Sequence, residues 1–403
     1  MINKDRLFLG SCFALITTAF SFSIRAGILA QLGTEFSLTA EQLGFINSMW
    51  FLGFPLAMII GGLVYYTVGP KIIMQVAFVC HAVGILLTIY SGGYTGLLLS
   101  TFLIGIGNGC TEAACNPMIA DTYSGSQMNK MLNRFHMWFP GGIVVGSLLS
   151  KFMTDANLGW QAQIWLILVP TFIYAYLFWG QAFPKPKVEG SASIGENLKA
   201  MFLNPLYLFM FACMALTAIS EFGPQQWTGL IMSKSGASPM IILALVTGLM
   251  AVIRYFAGPI VEKLDQTGVL LGSAILATIG IYLFSTQTGT MIYVAAVFFA
   301  MGVALFWPNM VGFVAEKIPL SGALGMSVIG GVGMFSTAIF QPIIGSWIDA
   351  ERVTQTAKGL TGDAMELAAG QATLDNIAVF PAILIVAFTV LYFWMKNRKT
   401  VQA

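Results

Sequence analysis

Apolar runs, each long enough to cross a bilayer and almost free of charge, recur along the whole sequence. The first extends from Leu7 to about Leu32, which is too long for the apolar region of a signal peptide, and no small-residue cleavage site follows it. Charged residues make up 9% of the 403 residues, whereas roughly 25% is usual for soluble domains. This composition excludes a water-soluble fold, so we expect the bilayer to be the solvent.

The chain has room for twelve membrane-spanning helices, because each needs about 20 residues. The predicted spans cover residues 7–32, 41–67, 71–91, 94–122, 129–152, 162–182, 204–233, 239–261, 267–286, 290–316, 321–349 and 377–397. The sequence therefore predicts an all-α membrane protein with twelve transmembrane helices.

A polar stretch divides these spans into two sets of six. It runs from Pro184 to Lys199 and is rich in Pro, Lys and Ser, as expected of a linker. We predict an N-terminal six-helix half over residues 1–183, a cytoplasmic linker over 184–203 and a C-terminal six-helix half over 204–403.

The distribution of Lys and Arg predicts the orientation. Most of these residues fall in the loops on the same side as the N-terminus, and the other side carries only Lys151, Lys234, Arg352 and Lys358. Cytoplasmic loops carry the excess of positive charge, so both termini are predicted to be cytoplasmic. The loop over residues 350–376 is expected to be a loose or partly helical external cap.

The two sets of spans resemble each other. The fourth span contains Asn116-Pro117 and the tenth Pro308-Asn309, while Arg25 and Glu221 occupy similar places in the first and seventh spans. This order predicts two six-helix repeats related by an axis along the membrane normal, an arrangement in which transporters bind substrate at mid-membrane between the halves.

Three stretches of the N-terminal half are similar to a known family. They are Gln31 to Gly53 with Phe36-Ser37-Leu38-Thr39, Gln42 and Gly44; Gly107-Asn108-Gly109 with Glu112-Ala113-Ala114 and Asn116-Pro117; and Leu132-Asn133 with Pro140-Gly141. In these stretches the chain resembles the major facilitator superfamily and, within it, the fucose permease-like sugar symporters. The resemblance implies the major facilitator fold, a sugar or sugar derivative as substrate, alternating access and a monomer.

The sequence departs from this family at three places. Tyr66 stands where the superfamily loop signature has an acid, and Thr101 stands where the fourth helix often has an arginine. Ala26, beside Arg25, stands where the sugar symporters have an aspartate in the first helix. The pair of carboxylates implied by the resemblance for proton coupling is therefore incomplete here.

Ionisable residues inside the spans are candidates for function, because each costs about 2.5–3.5 kcal/mol in the bilayer on insertion scales and usually faces a cavity or a partner. The candidates for cavity or coupling charges are Arg25, Glu112, His136 and Glu221, and those for an intracellular gate are Arg254 and Glu262. Glu112 either binds a proton or a sugar hydroxyl during transport or is a neutral link between helices. His136 either relays protons or packs between helices.

Arg25 has three alternative roles in the sequence. It forms an ion pair with Glu221 across the two halves, or each of these residues pairs within its own half. Alternatively, Arg25 binds an anionic substrate, since the guanidinium fork matches a carboxylate and stays charged at all accessible pH values. The third role is the main rival to a neutral sugar as substrate.

Aromatic and amide side chains provide the chemistry that recognises a sugar, which has apolar ring faces and a rim of hydroxyls. The candidates for substrate binding are Asn47, Asn108, Asn116, Gln225, Gln226, Trp227, Trp307, Asn309 and Gln341. We predict that these residues contribute to a substrate site.

Several function classes are not supported by the sequence. No phosphate-binding loop and no nucleophile with a base is present, so we expect no enzyme, no ATP and no cofactor. Cys110 and Cys115 lack the spacing of a metal site, and no basic run indicates nucleic acid.

The leading hypothesis is secondary active uptake of a sugar across the inner (plasma) membrane by a multi-pass symporter, coupled to a cation, with the proton as first choice. The alternatives are a carboxylate or sugar-acid symporter and a proton-coupled exporter of amphipathic compounds. A receptor or assembly factor that does not transport is a further alternative.

Overall fold

A computed structural model of the chain describes residues 2–123, 125–185 and 194–402. Within these ranges the chain is helical, with short connections and no strand. The helices are α1 (Lys4–Glu35), α2 (Ala40–Ile89), α3 (Tyr94–Thr122), α4 (Gly125–Asp155), α5 (Trp160–Phe178), α6 (Ile194–Phe202), α7 (Pro205–Ile231), α8 (Pro239–Tyr255), α9 (Ala257–Thr286), α10 (Met291–Val303), α11 (Phe306–Lys317), α12 (Gly322–Ala357) and α13 (Gly362–Gln402), with a 3-10 turn at Pro319–Ser321.

These helices make twelve spans in the described part of the chain. Helix α2 contains two spans that meet at Gly69, and α9 is divided at Asp265. The first part of α9 continues the span begun by α8, α10 and α11 together make one span, and α6 lies in the predicted linker. The prediction of an all-α membrane protein with twelve transmembrane helices in two six-helix halves is confirmed.

The two internal breaks have the same backbone conformation. Gly69 has φ 77° and ψ 162°, and Asp265 has φ 62° and ψ 159°. Glycine adopts positive φ without steric cost, and at the second break the Asp265 carboxylate accepts a hydrogen bond from the Gln266 N–H at 2.6 Å. The similarity between the two repeats thus extends to the backbone of corresponding loops.

Local sequence signals set where several helices begin. Thr39 and Gln42 form a reciprocal capping box at the start of α2, which satisfies two backbone donors that the first helical turn leaves without partners. Asn204 caps α7 by accepting from the N–H of Leu206 at 3.0 Å, and Pro205 follows as the first helical residue, where its missing N–H has no cost.

The chain forms two compact units. The first comprises Met1–Glu189 with Gln341–Ser346, and the second comprises Gly190–Phe340 with Trp347–Ala403. In the first unit α2 and α3 approach very closely, because Gly109 of α3 has no side chain: a Cβ at this position would lie 2.1 Å from the Phe54 carbonyl oxygen. In the second unit buried aromatic rings fill the core, for example Phe284 against Phe299 at 5.6 Å between ring centroids.

Most of the predicted external loop over 350–376 is helical, since α12 continues to Ala357 and α13 begins at Gly362. This is the partly helical alternative expected for that loop. Charged side chains hold this region together: Arg352 contacts Asp349 at 3.3 Å and Glu366 at 2.9 Å. Such pairs allow a helix to extend beyond its apolar run.

Candidate functional site

Arg25 lies inside the first unit, on α1, with 6% of its surface exposed. Its Nε donates a hydrogen bond to Asn47 Oδ1 at 2.8 Å, and its guanidinium lies over the indole of Trp50, 5.2 Å from the ring centroid. Both partners are on α2. The amide and the ring together fix the plane of the guanidinium, as required for binding a planar anion in a defined orientation.

Trp50 joins Arg25 to a buried hydrogen-bond network. The indole Nε1 donates to Ser21 Oγ at 2.9 Å, and the Asn108 amide reaches the same oxygen at 3.2 Å. Asn108 Oδ1 is 2.9 Å from His81 Nε2, and His81 Nδ1 is 2.9 Å from the Tyr174 hydroxyl. The predicted site residue Asn108 is therefore the centre of a polar network that links five spans.

The buried histidine of this unit is His81, which the sequence interpretation missed. His81 is wholly buried, whereas the predicted His136 is exposed and lies beside the ring of Phe135 at 5.1 Å. Both occur in apolar runs, so hydropathy does not separate them. The structure alone shows that His81 packs against Gly107, where a Cβ would lie 2.4 Å from His81 Cδ2.

Glu112 and Asn116 lie one turn apart on α3 and are half-buried. The Asn116 amide donates to Glu112 Oε2 at 2.5 Å, while Asn116 Oδ1 has no hydrogen-bond partner in the described part of the chain. Gln341, assigned to the same unit, is wholly buried, and neither of its amide atoms has a partner among the described residues. The first unit thus contains buried polar atoms that are available to a ligand or water.

A second charged cluster lies within the second unit. Glu221 is 3% exposed, and Arg254 Nη2 is 3.8 Å from its Oε1. Arg254 Nε also donates to the carbonyl oxygen of Ala304 at 2.8 Å. Of the alternatives left open by the sequence, the structure therefore shows Glu221 paired within its own half.

The Ala304 carbonyl cannot accept the usual backbone hydrogen bond of an α-helix. In an α-helix this oxygen would accept from the N–H of the residue four positions later, which here is Pro308 and has no N–H. The span breaks at this place, between α10 and α11. Arg254 replaces the hydrogen bond that Pro308 cannot make, so a side chain of α8 stabilises the broken helix.

The aromatic and amide residues of the second unit differ in accessibility. Trp307 is half-buried and lies 6.3 Å from the ring of Phe222, and Asn309 donates to the Leu305 carbonyl at 2.8 Å. Trp227 is wholly buried, and its Nε1 has no hydrogen-bond partner in the ranges that the structure describes. More of the Trp307 ring than of the Trp227 ring is therefore exposed.

The remaining predicted residues have simple environments. Gln225 is buried and its amide reaches the Met250 sulfur at 3.6 Å; Gln226 is wholly buried; Glu262 is exposed.

An apolar groove of about 670 Å³ lies between α1, α4 and α5, against residues such as Phe13 and Trp138, and contains none of the predicted site residues. Within the described ranges, no group of three His, Cys, Asp or Glu side chains is arranged to hold a metal ion.

Residues 11–341 match the family model of the Major Facilitator Superfamily. This chain belongs to the Major Facilitator Superfamily. The resemblance inferred from the helix motifs is confirmed at the level of the superfamily, and the chain is a multi-pass membrane protein of a transporter family.

Two relatives from Bacillus subtilis (strain 168) match most of the chain. NiaP, named for niacin and nicotinamide transport, is 21% identical over 83% of this chain and 86% of its own length. The hexuronate transporter is 22% identical and covers 86% of each chain. Among solved structures, a variant of the nucleoside transporter NupG superposes with a TM-score of 0.80 at 12% identity, covering 96% of this chain and 99% of that one. At this identity the structural likeness shows the fold alone.

Proposed function

We propose that this superfamily member is a secondary transporter that takes up a small polar solute carrying a carboxylate, of the sugar-acid class. The observation that carries the proposal is the environment of Arg25. Its guanidinium is buried on α1, held through Nε by Asn47, and supported by Trp50. We assign Arg25 as the group that binds the carboxylate.

The chemistry of Arg25 and Asn47 favours an anionic substrate. An arginine binds a carboxylate through two parallel charge-assisted hydrogen bonds, which are stronger than those between neutral groups. Asn47 is wholly buried, and its Nδ2 has no hydrogen-bond partner in the described part of the chain. This amide can donate to a substrate oxygen while its Oδ1 keeps the guanidinium in place.

The relatives support the same substrate class. A hexuronate is a sugar with a carboxylate, and the hexuronate transporter matches this chain over 86% of both lengths. A hexuronate also offers hydroxyls and apolar ring faces, which amide side chains and aromatic faces recognise.

A neutral sugar is the second candidate, and Trp307 is the observation that favours it. Its accessible indole face suits a sugar ring whether or not the sugar carries a charge. The two candidates therefore differ in what Arg25 does, and Arg25 is the residue to test.

The remaining features of the mechanism are proposed together. We propose alternating access, coupling to a cation with the proton as first choice, Glu112 as the coupling carboxyl, and Arg254 with Glu262 as gate residues. We further propose a monomer in the inner membrane with both termini cytoplasmic.

The test is competition between D-glucuronate and D-glucose in proteoliposomes, with and without a pH gradient. For wild type we expect glucuronate to be preferred. Replacement of Arg25 by Gln should weaken glucuronate affinity by roughly 10- to 100-fold, because one charge-assisted interaction is lost, and should change glucose affinity little. Lys151→Gln is the matched control, since Lys151 pairs with Asp155 at an exposed position.

Two results would each contradict one part of the proposed function. A wild-type protein that prefers glucose and keeps this preference after Arg25→Gln is a neutral-sugar transporter. Uptake that does not respond to an imposed pH gradient would refute proton coupling without affecting the assignment of Arg25.

A further inference from the structure

Five buried side chains from five spans of the first unit form one continuous hydrogen-bonded network. In order they are Tyr174, His81, Asn108, Ser21 and Trp50, joined by contacts of 2.9 Å, 2.9 Å, 3.2 Å and 2.9 Å. Each is at most 2% exposed. Buried networks of this kind are favourable only when every member is satisfied, so the direction of each hydrogen bond can be worked out.

Ser21 sets the direction. Its hydroxyl donates to the carbonyl oxygen of Thr18 at 2.8 Å, and a hydroxyl has only one proton to donate. Its oxygen must therefore accept from both of its other partners. The Trp50 indole can only donate, and Asn108 must present its Nδ2 to Ser21.

The protonation of His81 follows from this assignment. Because Asn108 presents Nδ2 to Ser21, it presents Oδ1 to His81, and His81 Nε2 must carry a proton. His81 is wholly buried, and a buried charge without a counter-charge is costly, so the ring is neutral and its Nδ1 accepts from the Tyr174 hydroxyl. The network is complete with a neutral His81 in the Nε2–H tautomer. Tyr174, His81, Asn108 and Ser21 each donate towards the Thr18 carbonyl, and the Trp50 indole donates to Ser21 from the other side.

The backbone around His81 is shaped to hold this ring. Gly107 precedes Asn108 on α3, and a Cβ at Gly107 would lie 2.4 Å from His81 Cδ2. Real Cβ atoms do not come this close to a ring, so any larger residue would displace His81. The glycine therefore permits the contact between His81 and Asn108.

The network ends at Trp50, whose ring lies against the Arg25 guanidinium. The Nε1 bond to Ser21 fixes the rotation of the Trp50 ring, and that ring lies 5.2 Å from the Arg25 guanidinium. A ring held in one orientation keeps the attraction between cation and aromatic face in one geometry. A displacement of the His81 ring is therefore transmitted through Asn108 and Ser21 to the Trp50 ring.

We propose that His81 is a positioning residue which, as the neutral Nε2–H tautomer, holds Trp50 in place through Asn108 and Ser21 and thereby sets the affinity of Arg25 for a carboxylate substrate. The inference rests on the proposed function of Arg25. His81 itself does not contact the substrate in this scheme.

The test compares three substitutions of His81 for D-glucuronate uptake in proteoliposomes. Gln places an amide nitrogen near the position of Nε2 and can still donate to Asn108, whereas Asn is too short and Leu has no donor. We expect His81→Leu and His81→Asn to raise KM roughly 3- to 10-fold, the effect of one misplaced hydrogen-bonded group, with little change in the maximal rate. We expect His81→Gln to remain within about twofold of wild type in KM.

One further variant addresses the same point without removing a polar group from the network, and two controls accompany the set. Gly107→Ala should displace His81 and raise KM in the same direction, and it keeps the test informative if His81→Leu does not fold. Gly272→Ala is its control, because a Cβ at Gly272 would meet nothing within 4 Å. Thr88→Val is the control for His81, since Thr88 lies on the same helix and loses one buried bond, to the Gly84 carbonyl.

A spectroscopic readout separates positioning from general destabilisation. In protein labelled with 5-fluorotryptophan, the Trp50 resonance, assigned with Trp50→Phe, should shift in His81→Leu and Gly107→Ala but not in the two controls. Folded His81→Leu or Gly107→Ala with an unchanged KM would overturn the proposal, and so would equal effects of Gln and Asn. If wild type and Arg25→Gln take up glucuronate equally well, the proposed function of Arg25 is wrong. That result comes from the Arg25 variant alone, so it is distinguishable from a failure of the His81 proposal.

Discussion

The hydrogen bond from Arg254 to the Ala304 carbonyl should lose most of its importance when Pro308 is replaced by alanine. Ala304 is wholly buried, and Arg254 Nε lies 2.8 Å from its oxygen. Removal of the guanidinium leaves this carbonyl without a donor, which costs about 1–3 kcal/mol. An alanine at position 308 supplies a backbone N–H that can take over the bond.

The ion pair with Glu221 complicates a direct comparison. Loss of Arg254 would also leave the buried Glu221 carboxylate without its cation, and an unpaired buried charge is costly in itself. The measurement should therefore be made in a Glu221→Gln background, where removal of Arg254 leaves no carboxylate without a partner. In that background we expect Arg254→Gln to cost about 1–3 kcal/mol, and at least about 1 kcal/mol less when Pro308→Ala is also present.

The assay is a double-mutant cycle on the free energy of unfolding. Purified protein in mixed micelles is unfolded with SDS, and helix content is followed by circular dichroism. Arg352→Gln replaces Arg254→Gln in a control cycle, because Arg352 pairs with Asp349 and Glu366, and sites without shared partners add to within about 0.3–0.5 kcal/mol. A coupling energy between Arg254 and Pro308 within that same margin of zero would refute the reasoning.

Two other variants test the first unit. Glu112→Gln should retain substrate affinity but lose accumulation against a gradient, because Gln imitates only the protonated carboxyl; normal accumulation in proteoliposomes would exclude Glu112 as the coupling residue. Gly109→Ala should destabilise the protein by about 1–3 kcal/mol through overpacking, since its Cβ would lie 2.1 Å from the Phe54 carbonyl oxygen. Its midpoint of SDS unfolding should fall, while that of Gly272→Ala should not, and equal midpoints would contradict the assigned helix contact.

The candidate site was only partly predictable. A charged residue in an apolar run is costly whichever way its helix is rotated. The sequence therefore identified Arg25, Glu221 and Arg254 as candidates. The partners of these residues could not be selected. Arg254 meets Glu221 and the Ala304 carbonyl across 33 and 50 positions of sequence, and no local pattern encodes which faces of three helices meet.

His81 is a clearer example of a feature that the sequence does not reveal. His81 and His136 both occur in apolar runs, yet one is the wholly buried member of a five-residue network and the other is exposed. A helix that is apolar on all sides has no amphipathic stripe from which its rotation could be read. Burial and exposure of a single polar residue on such a helix are therefore decided by neighbouring helices.

The membrane environment of this protein, its number of spans and its superfamily could all be predicted from the amino-acid sequence. Hydropathy, helix caps and turn residues act over a few positions, so they can be recognised in the amino-acid sequence. By contrast, helix packing alone explains why Asn108 and Ser21 connect His81 to Trp50, and why Arg254 takes the place of the N–H missing from Pro308. These contacts depend on how closely helices approach and how each is rotated, which packing fixes among residues far apart in sequence.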